Sequence, residues 1–432
     1  MEKFDLVIVG SGPAGLGAAF AYCKRKPEGK VLLIEKERYS TGGLRNDCKM
    51  NFTYPIGFPE EYWDPEKANR YLLEVIEEMQ PRFMEKRNLS IYEKRAEKLG
   101  VKLLEVRQSH LGTDGGLELI KELLDRLKKR GVEIHLEETA QEVHLMDRIL
   151  QTDKGKYRYE DLVIAPGRKG FAFLQDLMRR LKIPFMDHIL DIGIRLETTI
   201  EQYPIVRDYY DPKFLFPDRV RTFCTNAFRA YVVQEKYHTS NGEPYYSVNG
   251  HAYSTKRQEN GLVNFALLKT VMFTEPLASG QKYAEMIGLQ AMLLGGGRPI
   301  MQRVGDFRLG KRSTEETFTG DLYFFEPTLR CTPGDISLSI PAKILRAIWK
   351  AMKLLDTIVP GVLHPSTIMY YPEIKLYGNK PTFIDPNFQA LPHLYLIGDG
   401  AGTSRGITAA WASGIRAVEE ILGKPGIETR SL

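Results

Sequence analysis

Leu6-Val7-Ile8-Val9-Gly10-Ser11-Gly12-Pro13-Ala14-Gly15-Leu16-Gly17-Ala18-Ala19 is the stretch on which the reading of this 432-residue chain turns. Four consecutive apolar residues fit a parallel strand buried on both faces. The glycines stand at its end and lead into a helix of small residues. Gly10 permits a tight turn, Gly12 lets the backbone approach a pyrophosphate, and Gly15 lets the helix pack close to the strand. Pro13 and Ala14 open that helix, whose free N–H groups and positive dipole end suit an anion. Val31-Leu32-Leu33-Ile34 predicts a second buried strand. It ends at Glu35, 25 residues after Gly10, with Lys36 beside it. A carboxylate there accepts hydrogen bonds from ribose hydroxyls and repels a 2′-phosphate.

Outward from this unit, the next parallel strands come late. Residues 38–110 hold a Gly-containing loop, two aromatic-Pro segments and charged helical stretches around 65–100. Ile120, Leu123, Leu124 and Leu127 mark one face of a helix over 117–130. Strands are predicted at 132–136 and 162–164, with an antiparallel excursion over 141–160 between them. Ile192, Ile194 and Leu196 alternate with Gly193, Arg195 and Glu197, a strand with one polar face. Similar patterns recur near 221–233, 245–249 and 262–273, with helices at about 281–294 and 341–356. A parallel-strand signal returns only at Leu394-Tyr395-Leu396-Ile397. The fold class read from this is α/β. A parallel-sheet domain over 1–180 and 370–432 is interrupted by an α+β substrate domain with an antiparallel sheet over 181–369.

The last strand runs into Gly398-Asp399-Gly400-Ala401-Gly402, and a helix begins near Gly406-Ile407-Thr408. Here the sequence resembles the FAD-binding flavoproteins of the glutathione-reductase type, with a Rossmann-like FAD domain. The resemblance implies that Asp399 holds the ribityl chain and that the helix start at Gly406, Ile407 and Thr408 points at the flavin's pyrimidine end. A positive dipole end there would stabilise negative charge on reduced flavin. Ala165-Pro166-Gly167 resembles the family's Ala-Thr-Gly strand end, with Pro166 replacing the Thr and removing its hydroxyl. Thr139-Ala140 falls where the family's backbone contacts adenine, and Gly42-Gly43 where the chain passes the pyrophosphate and flavin. Several further segments are similar to a group of FAD-dependent dehydrogenases: 40–51, His110-Leu-Gly-Thr-Asp114, 192–197, Arg221-Thr-Phe-Cys224, 247–251 and 264–267. Position 48 is Cys here, and Thr225-Asn-Ala-Phe228 follows Cys224 in place of a Cys-Pro-Gly-Gly-like stretch. The expected cofactor is FAD, and the expected activity is hydride transfer through flavin N5, to or from a small organic substrate bound between the two domains.

Composition narrows the alternatives. A hydrophobic fraction of 43% and a charged fraction of 27% are ordinary for a globular protein. The net charge of +5 does not announce nucleic acid. Lys24-Arg25-Lys26 and Lys128-Lys129-Arg130 read as solvated helix ends, so tRNA modification is the weaker alternative, beside a non-redox flavin-binding role. Cys23, Cys48, Cys224 and Cys331 form no CxxC pair and no metal spacing. That excludes zinc-ribbon, ferredoxin-type and disulfide-framework chemistry, and no metal is expected. No signal-peptide pattern and no run of about 20 apolar residues occurs, so a cytoplasmic protein without a membrane span is predicted.

The catalytic residues are the least defined. Cys48 lies where disulfide reductases keep a redox cysteine, but no second cysteine stands nearby, and a small packed residue is the plainer reading. Lys49 is either a solvated loop lysine or a group near flavin N5, and Asp47 a turn or helix cap. Arg195 and Glu197 could line a substrate cleft or form an ion pair on an open sheet face. Asn249-Gly250-His251 reads as a turn, with His251 a structural histidine or a general base; Tyr245, Tyr246 and Tyr253 beside it read as core or rim. Gly295-Gly-Gly-Arg298 lacks a P-loop's Lys-Ser/Thr and reads as a flexible loop, and residues 331–335 as a turn. No second Gly-rich nucleotide unit occurs in 180–370. Either NAD(P)H binds transiently over the flavin, or the substrate is the only electron donor.

Overall fold

The computed structural model describes residues 2–255, 257–277, 279–319 and 325–423, which divide into two compact units. One holds the chain up to Phe83, Arg107–Met186 and the chain from Gly378; the other holds Met84–Val106 and Asp187–Tyr377. Elements are numbered along the whole chain. The molecule is mixed α/β, with one mainly parallel sheet and several antiparallel ones.

In the first unit, β1 (Lys3–Val9) lies between β2 (Val31–Glu35) and β9 (Lys156–Ile164). β6 (Glu133–Leu136) adds beyond β2 and β22 (Leu394–Leu396) beyond β9, all five parallel. The apolar run of β1 is explained by burial on both faces. Leu6 and Ile8 join a core with α1 (Pro13–Arg25), α4 (Gly112–Lys129) and α10 (Ile407–Gly423). Phe4, Val7 and Val9 join another with α5 (Phe171–Arg180). β7 (Ala140–His144) and β8 (Ile149–Thr152) pair antiparallel, and β8 pairs in turn with β9. β21 (Gln389–Leu391) forms an antiparallel edge beside β22. Two short ribbons join β3 (Lys49–Asn51) to β5 (Gln108–His110), and β10 (Phe185–Met186) to β20 (Lys380–Pro381). α2 (Pro65–Met79) is capped by Asp64, which accepts from the Lys67 N–H at 2.8 Å.

α1 and α10 cross at two glycines. A Cβ on Gly17 would sit 2.3 Å from Trp411 O, and one on Gly414 2.2 Å from Ala14 O. This close crossing sets the first turn of α1 against the second turn of α10.

The second unit is built on the eight-stranded order β18-β17-β19-β11-β16-β13-β12-β4. Its strands are β4 (Lys102–Leu104), β11 (Ile189–Thr199), β12 (Lys213–Phe216), β13 (Val220–Ala227), β16 (Leu262–Met272), β17 (Ile300–Arg303), β18 (Thr332–Pro333) and β19 (Ile368–Leu376). Only β17 and β18 pair parallel. A ribbon of β14 (Ala230–His238) and β15 (Pro244–Ala252) accompanies the sheet. Ile192, Ile194 and Leu196 pack with α6 (Gly280–Leu294) and α9 (Ala342–Ile358). α3 (Leu89–Lys98), α7 (Val304–Arg308) and α8 (Glu315–Thr319) complete the unit.

Three expectations are corrected. Residues 84–106 leave the first domain, because β4 pairs with β12 and Arg95 donates to Ile358 O at 3.1 Å. Asn249-Gly250-His251 lies within β15, near its carboxyl end, rather than in a turn. The polar residues of β11 do not face solvent: Asp191, Arg195 and Glu197 are all fully buried. Among the described residues, no helix is long and apolar enough to cross a membrane, and no cluster of three His, Cys, Asp or Glu side chains could hold a metal.

Candidate functional site

The chain leaves β1 towards β2 on one side and finds β9 on the other, so the carboxyl ends of β1 and β9 form a topological switch point. Open parallel sheets bind ligands in the crevice at such a point. Gly10, at the end of β1, has φ +103°, and a Cβ there would lie 2.3 Å from Ala165 O. Gly15 is equally constrained, its Cβ position being 1.8 Å from Gly10 O. Gly12 differs: the nearest atom to its Cβ position is Ser40 Oγ at 3.8 Å, so it faces open space. Pro13 begins α1 with a preset φ, and Ala14 is buried behind it. No side chain caps this helix start and its first turn holds no acid, so its dipole is left to attract an external anion.

Glu35 ends β2 beside this turn. Its Oε2 accepts from the Ser11 N–H at 2.9 Å and the Ser11 hydroxyl at 2.8 Å, and its Oε1 accepts from the Glu37 N–H at 3.0 Å. The carboxylate therefore braces the glycine-rich turn as well as standing next to it. Lys36 turns to the surface, near Glu37 at 3.9 Å. The Glu138 N–H donates to Glu35 O at 3.0 Å, which brings the segment entering β7 at Ala140 alongside β2.

The ends of β9 and β22 complete the arrangement. Gly167 and Gly398 both have positive φ, and Gly398 touches Ala14, its Cβ position being 2.8 Å from the Ala14 Cβ. A Cβ on Gly400 would lie 2.5 Å from Gly167 O. Ala165 is buried and Pro166 half-buried. Asp399 accepts from the Gly406 N–H at 3.0 Å and from the Ser404 hydroxyl at 2.9 Å. Burial raises its carboxyl above the ordinary aspartate value, while Arg168, 3.8 Å away, pulls it down. Gly406, with φ +103°, delivers the chain into α10 at Ile407 and Thr408. The Thr408 hydroxyl donates to Asn51 O at 2.5 Å, and the Cβ position of Gly43 is 3.3 Å from Ile407 Cγ1. Gly42 has nothing within 4 Å of its Cβ position and is more open still than Gly12.

Asp47 and Cys48 are both left-handed, with φ of 76° and 46°. Cys48 is fully buried against Gly116 of α4, and burial pushes its thiol up to about 12. It is a packed thiol and not a thiolate. Lys49 is not a solvated loop residue: it lies on β3, its side chain 8% exposed, 3.2 Å from Asp47 Oδ2. Asp47 is buried in the turn that leads into β3 and meets a second base. Its Oδ1 meets His110 Nε2 at 2.7 Å. Burial opposes ionisation of Asp47, but Lys49 and His110 hold its carboxyl well below the usual range.

In the second unit, Arg195 does not pair with Glu197. Its Nε and Nη2 make a bidentate pair with Glu373, both at 2.7 Å, and its Nη1 donates to Asn264 Oδ1 at 2.8 Å. Glu197 accepts from the Tyr370 hydroxyl at 2.6 Å, and burial raises its carboxyl above the ordinary value. Neither residue faces a cleft. Tyr245 is core, stacked on Tyr237 at 5.5 Å, and Tyr253 lies edge-on to Tyr231 at 5.7 Å. Gly295 belongs to a tight turn, its Cβ position 1.9 Å from Arg298 O.

Ser11, Arg168 and His110 were missed by the sequence reading. Ser11 was readable, since it lies within the glycine motif opposite an acidic strand end. The partnership of His110 with Asp47 depends on pairing between β3 and β5, which no local pattern announces.

No protein-family model and no curated protein matches this sequence. Among solved structures, the chain is similar to L-proline dehydrogenase from P. horikoshii, at 12% identity and a TM-score of 0.43, over 99% of this chain and 96% of that one. Glycine oxidase from Bacillus cereus gives 12% and 0.42, over 98% and 96%. p-Nitrophenol 4-monooxygenase from Pseudomonas putida gives 11% and 0.41, over 98% and 80%. Likeness at this level assigns neither a family nor an activity to the chain.

Proposed function

We propose that this chain is an FAD-dependent oxidoreductase acting on a small organic substrate, with the cofactor held at the carboxyl ends of the parallel strands in the first unit. The observation that carries the reading is Gly12. It stands over an uncapped helix start at the switch point, and its Cβ position is open to 3.8 Å while Gly10 and Gly15 are packed solid. A backbone cradle of this kind accepts a pyrophosphate.

The residues present fit the cofactor. Gly10, Gly12, Pro13, Ala14 and Gly15 would hold the pyrophosphate, with Gly42 and Gly43 opposite. Glu35, already oriented by Ser11, would accept from ribose hydroxyls, and Ala140 would lie at the adenine. Asp399 would take the ribityl chain, with Ala165, Pro166, Gly167 and Gly398 as the floor. Gly406, Ile407 and Thr408 would present the positive end of α10 to the ring. Bound FAD would supply two-electron hydride chemistry at N5; the protein supplies orientation, exclusion of water and dipole stabilisation. The second unit, with the chain's antiparallel sheet, is assigned the substrate role, and NAD(P)H remains a candidate donor.

The test is direct. The purified protein is expected to be yellow or to become so on reconstitution with FAD, and to bleach anaerobically with NADH, NADPH or one of a panel of metabolites. A colourless protein that takes up no FAD would overturn the reading.

A further inference from the structure

The outer face of α9 is unused by the reading above. Lys343, Arg346, Lys350 and Lys353 are all exposed and fall at intervals of three, four and three, so they form one stripe down the helix. Neighbours of like charge at this spacing destabilise a helix. Lys343 also lies in the first turn, which holds no acid and where a cation opposes the dipole. The stripe therefore costs the helix stability, which an external anion would return. Lys350 reaches Asp218 at 3.1 Å. Asp356, the one acid of α9, accepts from the N–H groups of Gly361 and Leu363 at 3.1 and 2.8 Å.

Apolar surface adjoins the stripe. Trp349, between Arg346 and Lys353 along the helix, is half-buried, its ring 4.9 Å from that of Phe307 in α7. The chain leaves α7 through Arg308-Leu309-Gly310-Lys311-Arg312, in which Leu309 is 70% exposed. Leu338, 67% exposed, stands three residues before Pro341 at the start of α9. Gln302 clasps the two segments: its amide donates to Lys311 O at 2.8 Å and its Oε1 accepts from the Ile336 N–H at 3.0 Å. Asp306 and Asp335 beside them accept from the Ser313 hydroxyl and the Ser337 N–H. Single exposed leucines are ordinary on protein surfaces. Here two of them each lie two residues from one clasp, next to a tryptophan and among cations.

We propose that α9, with the loops bearing Leu309 and Leu338, docks the second unit on a bilayer that carries anionic phospholipid. The ammonium and guanidinium groups meet phosphate headgroups, while Leu309, Leu338 and Trp349 enter the boundary with the acyl chains. Nucleic acid offers similar anions but no apolar layer for two leucines, so the observations favour lipid. The apolar side of α9 stays in the protein core through Ile344, Ile348 and Leu355, so the helix lies on the membrane and does not enter it. This inference is independent of the cofactor.

The full-length protein would be sedimented with vesicles of phosphatidylcholine alone and of phosphatidylcholine mixed with phosphatidylglycerol. Binding to the mixed vesicles only, weakening as salt rises, is the expected result. Arg346→Gln with Lys353→Gln should lower the partition about 25-fold, near fivefold per charge. Leu309→Ser with Leu338→Ser keeps the charge and should lower it about tenfold. Leu73→Ser, at an exposed leucine of α2 in the first unit, should leave it unchanged. All these side chains are exposed, so the thermal midpoints should stay at or above the parent's. Trp63 and Trp411 are buried, which makes Trp349 the reporter among the three tryptophans. Brominated acyl chains should quench its fluorescence, and Trp349→Phe should remove that quenching. No binding to mixed vesicles at low salt, or equal binding by every variant, would overturn the proposal. Charge-dependent binding of duplex DNA, with vesicle binding unmoved by the serine substitutions, would overturn it too and mark the face as one for nucleic acid.

Discussion

Gly12 and Gly250 are both glycines beside charged groups, and they differ in what occupies the space in front of them. A Cβ on Gly12 would meet nothing nearer than 3.8 Å. One on Gly250 would lie 2.1 Å from Asn264 Oδ1 and 2.4 Å from Arg195 Nη1. In the second unit the protein fills the cradle with its own guanidinium, which Glu373 then saturates. In the first unit the cradle faces a helix dipole that no side chain has answered. Buried charge therefore marks internal structure in one place and a candidate ligand site in the other, and the vacancy before the glycine tells them apart.

The largest effect should come from breaking the filled site. Arg195→Met removes the bidentate partner of buried Glu373 and leaves Lys375, 3.5 Å away, so it is expected to cost about 3 kcal/mol in urea unfolding. Replacing both residues, Arg195→Met with Glu373→Leu, should recover much of that. If the single variant is as stable as the parent, the second unit's charge layer is not what holds it.

Exchanging the two glycines sharpens the contrast. Gly12→Val is expected to weaken FAD binding about a hundredfold, or about 2.7 kcal/mol, with a thermal midpoint close to that of the parent. Gly250→Ala should do the reverse, lowering stability by about 1–3 kcal/mol through overpacking and leaving FAD affinity in place. Fluorescence titration and thermal melts separate the two, and equal behaviour would erase the distinction.

Smaller losses are expected at the acids of the open site. Glu35→Ala and Asp399→Ala should each lower FAD retention about tenfold, near 1.4 kcal/mol. Asp399 also carries a pH dependence. Because burial raises its carboxyl in the folded state, its contribution to stability is fully present below the ordinary aspartate value and is lost as pH rises through the raised one. Asp399→Asn should therefore raise the neutral-pH melting temperature of the FAD-free protein while weakening FAD binding; a lower melting temperature would count against a desolvated charge there.

The smallest effect is predicted for Cys48. Burial pushes its thiol up to about 12, so the reactive thiolate is scarce near neutral pH. Iodoacetamide followed by peptide mass mapping should leave Cys48 unmodified in the folded protein, and Cys48→Ser should leave turnover unchanged. Rapid alkylation would restore the redox reading.

The strands around Leu6, Val31, Leu162 and Leu394 were legible because two-sided burial demands unbroken apolar runs. The turn at Gly10 was legible because its three glycines fall within six residues at the end of an apolar run. β11 was legible as a strand but not as to its faces, since alternation of Ile192, Ile194 and Leu196 with Arg195 and Glu197 looks the same whether the polar side meets water or a second polar layer. The ribbon of β14 and β15 supplies that layer: Asn249 Oδ1 lies 3.4 Å from Arg195 Nη2.

By itself, the amino-acid sequence determined the βα turn, its acidic strand end, the late Gly-Asp turn and the order in which they occur. Those features arise from backbone freedom and burial among near neighbours. Only the tertiary structure decided that Asp47 meets His110, 63 residues away, that Arg195 meets Glu373, 178 away, and that Asn51 meets Thr408, 357 away. Such meetings are set by strand register and helix crossing, and residues adjacent in the chain carry no record of either.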